Sequence, residues 1–261
     1  MNLSAQIAGQ GPALVILHGL FGSGTNWRTI SRPWSEHFTV HLLDARNHGA
    51  SPHDAEMNYA AMAADVSEYI DVQCPDGAHI LGHSMGGKTA MLTALSSPRQ
   101  VKSLVVADVA PVPYAHDFKT EITALRAVPL GTIKSRSEAD AVVAKHFDDP
   151  NLRAFLLQNL VRSSDGFRWR INIDALQGAM SELTGFEMPN TEYDGPCTFV
   201  YGGASPYVRA DHHEYIYRLF PNAELECLEG AGHWLHAEKP DAFSRAVVRH
   251  LKAHESGCSN K

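Results

Sequence analysis

Short apolar runs recur along the chain, and each closes on a polar residue or a glycine. Residues 13–17 run into His18-Gly19, 38–43 into Asp44, 78–81 into Gly82, 103–107 into Asp108, and 197–201 into Gly202-Gly203; 223–228 ends just before Gly230. Runs this short, apolar throughout, predict strands buried on both faces, and the helix-like stretches between them predict a parallel sheet covered on either side. In such sheets functional side chains gather where strands hand over to loops at their carboxyl ends. Here those ends carry His18-Gly19, Ser84, Asp108 and Ser205, with His233 soon after the last strand.

The alternation breaks between about residues 112 and 194, where no clean strand is legible. Helix-like patterns cover 121–128, 139–146, 152–161 and 173–180, with Asp140 and Asp174 near two helix starts. Helices inserted between two strands of such a sheet predict a lid over the site; the alternative is a separate helical domain with its own role. The expected organisation is a core formed by 1–111 and 195–254, a lid over 112–194, and a disordered tail over 255–261.

The chemistry centres on Gly82-His83-Ser84-Met85-Gly86, which lies between the third apolar run and a helix-like segment of small and apolar residues from Gly87 to Leu95. G-x-S-x-G in that context is a nucleophile elbow, a strained strand-to-helix turn that holds the serine hydroxyl out. The flanking glycines are needed because side chains there would press on neighbouring backbone. The following helix aims its N-terminal amides at the place where negative charge develops in acyl transfer.

A serine hydroxyl needs a base, a group that orients the base, and donors for an oxyanion. Gly230-Ala231-Gly232-His233-Trp234 offers His233 as the base, with His236 a competitor read as structural. The acid is expected between Ser84 and His233, yet the loop after 197–201 reads Gly202-Gly203-Ala204-Ser205-Pro206, without a carboxylate. Asp211 and Glu214 fall in an expected helix over 208–219. Asp108, at the end of the strand after the elbow helix, is the chosen acid, with Ser205 as helper or substitute; the bland reading is that Asp108 caps a turn. The oxyanion hole is assigned to the backbone N–H of Met85 and that of Leu20, with Phe21 the close alternative to Leu20. Asp44-Ala45-Arg46-Asn47-His48-Gly49 is read as structural, an Asp–Arg pair pinning a loop.

Composition narrows the function classes. The 261 residues are 44% hydrophobic and 20% charged, the profile of an ordinary globular chain. A formal net charge of −7 and the lack of a basic run argue against nucleic acid or an anionic membrane surface as partner. The first residues show neither a basic region nor a long apolar stretch, so a cytoplasmic location and no membrane insertion are expected. Cys74, Cys197, Cys227 and Cys258 are scattered, which predicts neither a disulfide framework nor a zinc site. The 15 histidines, among them His212-His213 and the pair His233/His236, show no metal-ligand spacing, so no metal is expected.

Taken together, His18-Gly19-Leu20-Phe21-Gly22-Ser23, the segments 44–49 and 82–88, Asp108-Val109-Ala110-Pro111-Val112, Ser205-Pro206-Tyr207-Val208 and 230–240 resemble the α/β-hydrolase family over nearly the whole chain. In spelling they resemble its small bacterial YbfF-type esterases. The resemblance implies an eight-stranded, mostly parallel sheet, a helical lid, and a cofactor-free serine esterase acting on a small-molecule acyl ester or thioester. It also supports Asp108, because that group similarly lacks an acid in the later loop, where this chain has Ser205.

Two other functions compete. C–C bond hydrolysis of vinylogous diketones uses the same triad in relatives, and would want cationic groups under the lid; Arg126, Arg136, Arg153, Arg162, Arg168 and Arg170 are the candidates. A non-catalytic ligand sensor on the same scaffold would have no physical need of Ser84, Asp108 and His233 together.

Overall fold

The computed structural model of the chain describes residues 1–164, 166–187 and 189–255. The expected disordered tail therefore lies outside the described residues except for Glu255, and so does Cys258. In chain order the elements are β1 (Ala5–Ala8), β2 (Ala13–Leu17), α1 (Arg28–Ser31), β3 (Thr39–Leu43), α2 (Tyr59–Gln73), β4 (Ala78–His83), α3 (Met85–Ser96) and β5 (Val101–Ala107). An insertion follows: α4 (Lys119–Ala127), α5 (Arg136–Val143), α6 (Pro150–Leu157), β6 (Leu160–Ser163), β7 (Gly166–Trp169), α7 (Ile173–Gly178) and α8 (Met180–Thr184). The chain then returns through β8 (Cys197–Gly202), α9 (His213–Leu219), β9 (Ala223–Leu228), α10 (Leu235–Glu238) and α11 (Pro240–Ala253).

One sheet of seven strands runs in the order β1-β3-β2-β4-β5-β8-β9. Within this sheet, among the described residues, only the β1–β3 pair is antiparallel. Seven strands in this sheet, among the described residues, correct the expectation of eight. The edge strand β1 was not legible in the apolar pattern, because its four residues are only half buried or exposed.

Alternate residues along each inner strand feed opposite cores. Val15, Leu17, Ile80, Leu104 and Val106 face α2, α3 and α9, where they meet Val66, Ile70, Met91 and Ile216. Leu14, Ile16, Leu81, Val105 and Ala107 face the other side, against Trp27, Trp34 and α11. That helix starts with Pro240 in its first turn and turns Phe243, Ala246, Val247, His250 and Leu251 inward, the stripe a helical period requires. Each fully buried Leu, Val or Phe contributes roughly 1.5–3 kcal/mol.

The insertion differs from its sequence reading in local detail. It contains a β6–β7 hairpin where no strand was expected; strands of four residues with mixed exposure leave no period to detect. Helix α5 starts at Arg136, because Ser135 caps it by accepting the Glu138 N–H, so Asp140 lies inside the helix. Asp174 does lie in the first turn of α7, which starts at Ile173 as expected and is capped by Asn172. Helix α6 ends at Leu157, and Leu160 and Val161 pass into the hairpin instead. The insertion has an inner cluster of Ala124, Val128, Ala139, Val143, Leu157 and Leu160. A second apolar set, Ile122, Leu125, Leu156, Ile173 and Leu183, packs on Leu20, Phe21, Tyr59, Met62 and Met85 of the main body.

Two polar anchors hold the end of the insertion. Tyr59 Oη donates to the Leu183 carbonyl at 2.7 Å, and Lys88 Nζ donates to the carbonyls of Thr184 (3.1 Å) and Gly185 (2.6 Å). These are the carbonyls that α8 leaves unpaired at its C-terminus, where a cation is favoured. Lys88 is buried beside the rings of Tyr59 and Tyr114, and burial pushes its ammonium down to about 7. No helix among the described residues is long and apolar enough to cross a membrane.

Candidate active site

Ser84 occupies the turn between β4 and α3 at φ 53°, ψ −119°, a strained conformation for a non-glycine residue. The flanking glycines are sterically obligatory. A Cβ on Gly82 would lie 2.2 Å from the Gly86 carbonyl oxygen, and one on Gly86 would lie 2.3 Å from that of Leu17. The strain is confined because β4 is buried along its whole length and α3 begins at Met85.

Asp108 follows β5, has no solvent exposure, and also sits at positive φ, 49°. Both of its carboxylate oxygens are bonded. Oδ1 accepts the Gly202 N–H at 2.9 Å, while Oδ2 accepts Ser205 Oγ–H at 2.5 Å and His233 Nδ1–H at 2.7 Å. A buried carboxylate is costly unless it is bonded in this way. The parallel register explains the meeting: β5 lies beside β8, and β8 beside β9, so the loops after all three strands open at one edge. Asp211, by contrast, is exposed and pairs with Arg209.

The bond to Asp108 occupies His233 Nδ1 and leaves Nε2 as the other ring nitrogen. The imidazole stacks on Tyr207 at 4.1 Å between centroids, and Tyr114 Oη holds the Tyr207 carbonyl at 2.7 Å. Ser84 and His233 line one cavity of about 260 Å³. Its walls are mostly apolar, with Leu20, Phe21, Trp27 and Trp234 from the main body and Phe118, Leu152, Phe155 and Leu156 from the insertion. No direct hydrogen bond joins Ser84 Oγ to His233; such contacts tighten when substrate binds. His236 also borders the cavity, but its ring stacks on Trp27 at 4.5 Å, and burial lowers its pKa to about 4.

The loop after β2 is braced by two buried histidines. His18 Nδ1–H donates to the Gly19 carbonyl (2.8 Å), and its Nε2 accepts the Ala45 N–H (3.1 Å). His48 Nδ1–H donates to the Arg46 carbonyl (3.0 Å), and its Nε2 accepts the Phe21 N–H (3.3 Å). Both rings must be neutral to accept, and burial pushes them down to about 4 and about 3. Asn159 Nδ2 takes the Phe21 carbonyl at 2.8 Å, so both polar groups of this positive-φ residue are engaged. The amide alternatives thus separate. Phe21 N–H is occupied, whereas Leu20 N–H has no protein partner among the described residues and its residue borders the cavity with Ser84. Met85 N–H opens helix α3 directly after Ser84.

The 44–49 segment is structural, but with partners other than those expected. Arg46 pairs with Asp65 through two bonds, at 2.6 and 2.9 Å, and not with Asp44. Asp44 instead accepts the N–H groups of Gly24 and Ala50, each at 2.8 Å. Helix α2, which carries Asp65, arrives beside this loop only through the fold. The sequence reading also missed the brace by His18 and His48; their closeness to glycine-rich turns was the available signal.

Comparison with known proteins follows the same outline. A model of the alpha/beta hydrolase fold matches residues 12–240. The chain is 40% identical over 256 residues to esterase YbfF of Escherichia coli, covering 96% of this chain and 98% of that protein. It is 39% identical over 251 residues to an sn-1-specific diacylglycerol lipase of Xenopus laevis, covering 93% and 80%. A solved marine microorganism esterase superposes with a TM-score of 0.92 at 38% identity, covering 95% of this chain and 98% of that one. With a match that spans the sheet and the insertion alike, the chain belongs to the α/β-hydrolase fold family.

Proposed function

We propose that this carboxylic ester hydrolase acts through an acyl-enzyme on Ser84, on small-molecule esters or thioesters with small to medium acyl chains. Ser84 Oγ attacks the carbonyl carbon as His233 Nε2 takes its proton, and the oxyanion is held by the N–H groups of Leu20 and Met85. The tetrahedral intermediate expels the alcohol or thiol, which leaves with the proton from His233. Water then attacks the acyl-enzyme, again through His233, and frees the acid and Ser84. Asp108 keeps the imidazole in the tautomer that presents Nε2, and Ser205 steadies the carboxylate. These steps use side chains and backbone amides alone. Residues 112–194 act as the lid on a core of 1–111 and 195–254.

The observation that carries this reading is the buried Asp108 carboxylate bonded to His233 Nδ1 at 2.7 Å beside the cavity that Ser84 shares. The names of the relatives, esterase and diacylglycerol lipase, support the reaction class. None of the lid arginines borders the cavity among the described residues. Arg126 pairs with Asp174, Arg153 with Asp140, and Arg136 donates to the carbonyls of Leu157 and Leu160. The arginines that the C–C hydrolase reading would want beneath the lid thus do not line this cavity.

The test is initial rates on p-nitrophenyl esters from acetyl to dodecanoyl, with Ser84→Ala in parallel. Turnover that vanishes in the variant is expected. Wild-type turnover that survives in Ser84→Ala would overturn the assignment, and binding without turnover would favour the sensor reading.

A further inference from the structure

We propose that His83, the residue before the nucleophile, is a positioning residue that fixes the backbone of the His233 loop through its Nε2–H. The inference rests on the roles given above to Ser84 and His233.

The loop after β9 is intrinsically loose. It contains Gly230, at φ 70°, and Gly232. Its anchors before His233 are Ala231 N–H to Leu228 O (3.1 Å), Ala204 N–H to Ala231 O (2.9 Å), and Gly232 N–H to the Glu238 carboxylate (2.6 Å). At His233 itself, Asp108 and Tyr207 hold the ring but not the main chain. Among the described residues, the donor that reaches the His233 carbonyl is His83 Nε2, at 2.9 Å.

A carbonyl only accepts, so Nε2 carries the proton and Nδ1 does not. Burial and the neighbouring imidazoles of His233 and His236 hold the ring well below its ordinary pKa, so this neutral tautomer is the one present. The ring lies 4.7 Å from that of His233 between centroids, and its Nδ1 is 3.2 Å from where a Cβ on Gly19 would stand. His83 therefore lies beside the Gly19 turn and bonds the base loop while joined covalently to Ser84. The loop after β9 reaches back past the ends of β8 and β5 to meet it. A base held only by its ring would swing with its loop, and small misplacements of a reacting group are expensive in rate.

The competing view is that His83 merely fills space beside Trp27 and His236, at 6.2 and 4.9 Å between centroids. His83→Gln and His83→Met separate the two, because they match in size and differ in the donor. Each would be assayed on p-nitrophenyl butyrate in the full chain, with active sites counted by a fluorophosphonate titrant. His83→Met is expected to lower kcat per titrated site by about tenfold to about a hundredfold with KM changed less than about twofold. His83→Gln should recover most of that loss at a similar Tm. If the linear side chains do not pack, His83→Phe keeps a ring without the donor and should behave as His83→Met. Equal kcat per site in wild type and a donor-free variant would overturn the proposal. So would a loss shared equally by His83→Gln, or one lying wholly in KM or in the titratable fraction. Residual turnover in Ser84→Ala is a different failure, of the serine reading itself.

Discussion

Ser205 Oγ donates to the same carboxylate oxygen of Asp108 that receives His233 Nδ1–H. The loop after β8 thus contributes a hydroxyl where a carboxylate was first sought, and the carboxylate comes from the end of β5. The arrangement satisfies a group with no solvent exposure, since Gly202 N–H bonds the other oxygen. It also aims Oδ2 between its two donors, so rotation of the carboxylate would break all three bonds at once.

Asp108→Asn is expected to lower kcat on the order of 10³–10⁴-fold by favouring the wrong imidazole tautomer. Asparagine accepts the positive φ of this position readily, so the variant should fold. Ser205→Ala removes one donor of three and should cost about tenfold or less. Steady-state kinetics on one ester decides it, and the reverse ranking would move the orienting role to Ser205.

Leu152 and Phe155 form part of the cavity wall contributed by the insertion. Replacing either with alanine should shift the preferred acyl chain towards longer esters, because each buried methylene is worth about 0.8 kcal/mol. The p-nitrophenyl ester series measured on Leu152→Ala and Phe155→Ala would show this. An unchanged chain-length profile would remove the lid from acyl selection.

His18, His48 and His236 are buried with pKa values of about 4, about 3 and about 4, against an ordinary 6.5. Between those values the unfolded chain binds protons that the folded chain does not, so stability rises with pH there. It should be level above about pH 6.5 and fall as pH drops towards 4, by about 1.4 kcal/mol per pH unit for each histidine at the steepest. Tm measured from pH 8 to pH 5 checks the sign. His48→Gln, which can still accept the Phe21 N–H, should flatten the slope, and an unchanged slope would assign the acid sensitivity elsewhere.

Much of this architecture is legible in the chain. The inner strands are apolar on both faces because helices cover both, so β2, β4, β5 and β8 announce themselves. The edge strand β1 and the β6–β7 hairpin lack that double burial and leave no comparable mark. The start expected at residue 173 matches α7, whereas α5 begins at Arg136 and not at 139, because several polar residues lie near that boundary and packing selects Ser135 as the cap.

The strained turn at the candidate Ser84 was readable from sequence alone because its constraint is local: Gly82 and Gly86 lie two positions away, and no side chain fits at either. The candidates Asp108 and His233 were readable as residues at strand ends, although nothing local joins them. Tertiary structure decided the partnerships. It brought Asp108 to His233 and Ser205, gave Phe21 N–H to His48, paired Arg46 with Asp65, and set His83 under the His233 carbonyl. The physical reason is that each is a choice among donors and acceptors far apart in sequence. Each such bond contributes only about 1–3 kcal/mol net, and the strand order that brings the groups together is fixed by the burial of the whole sheet.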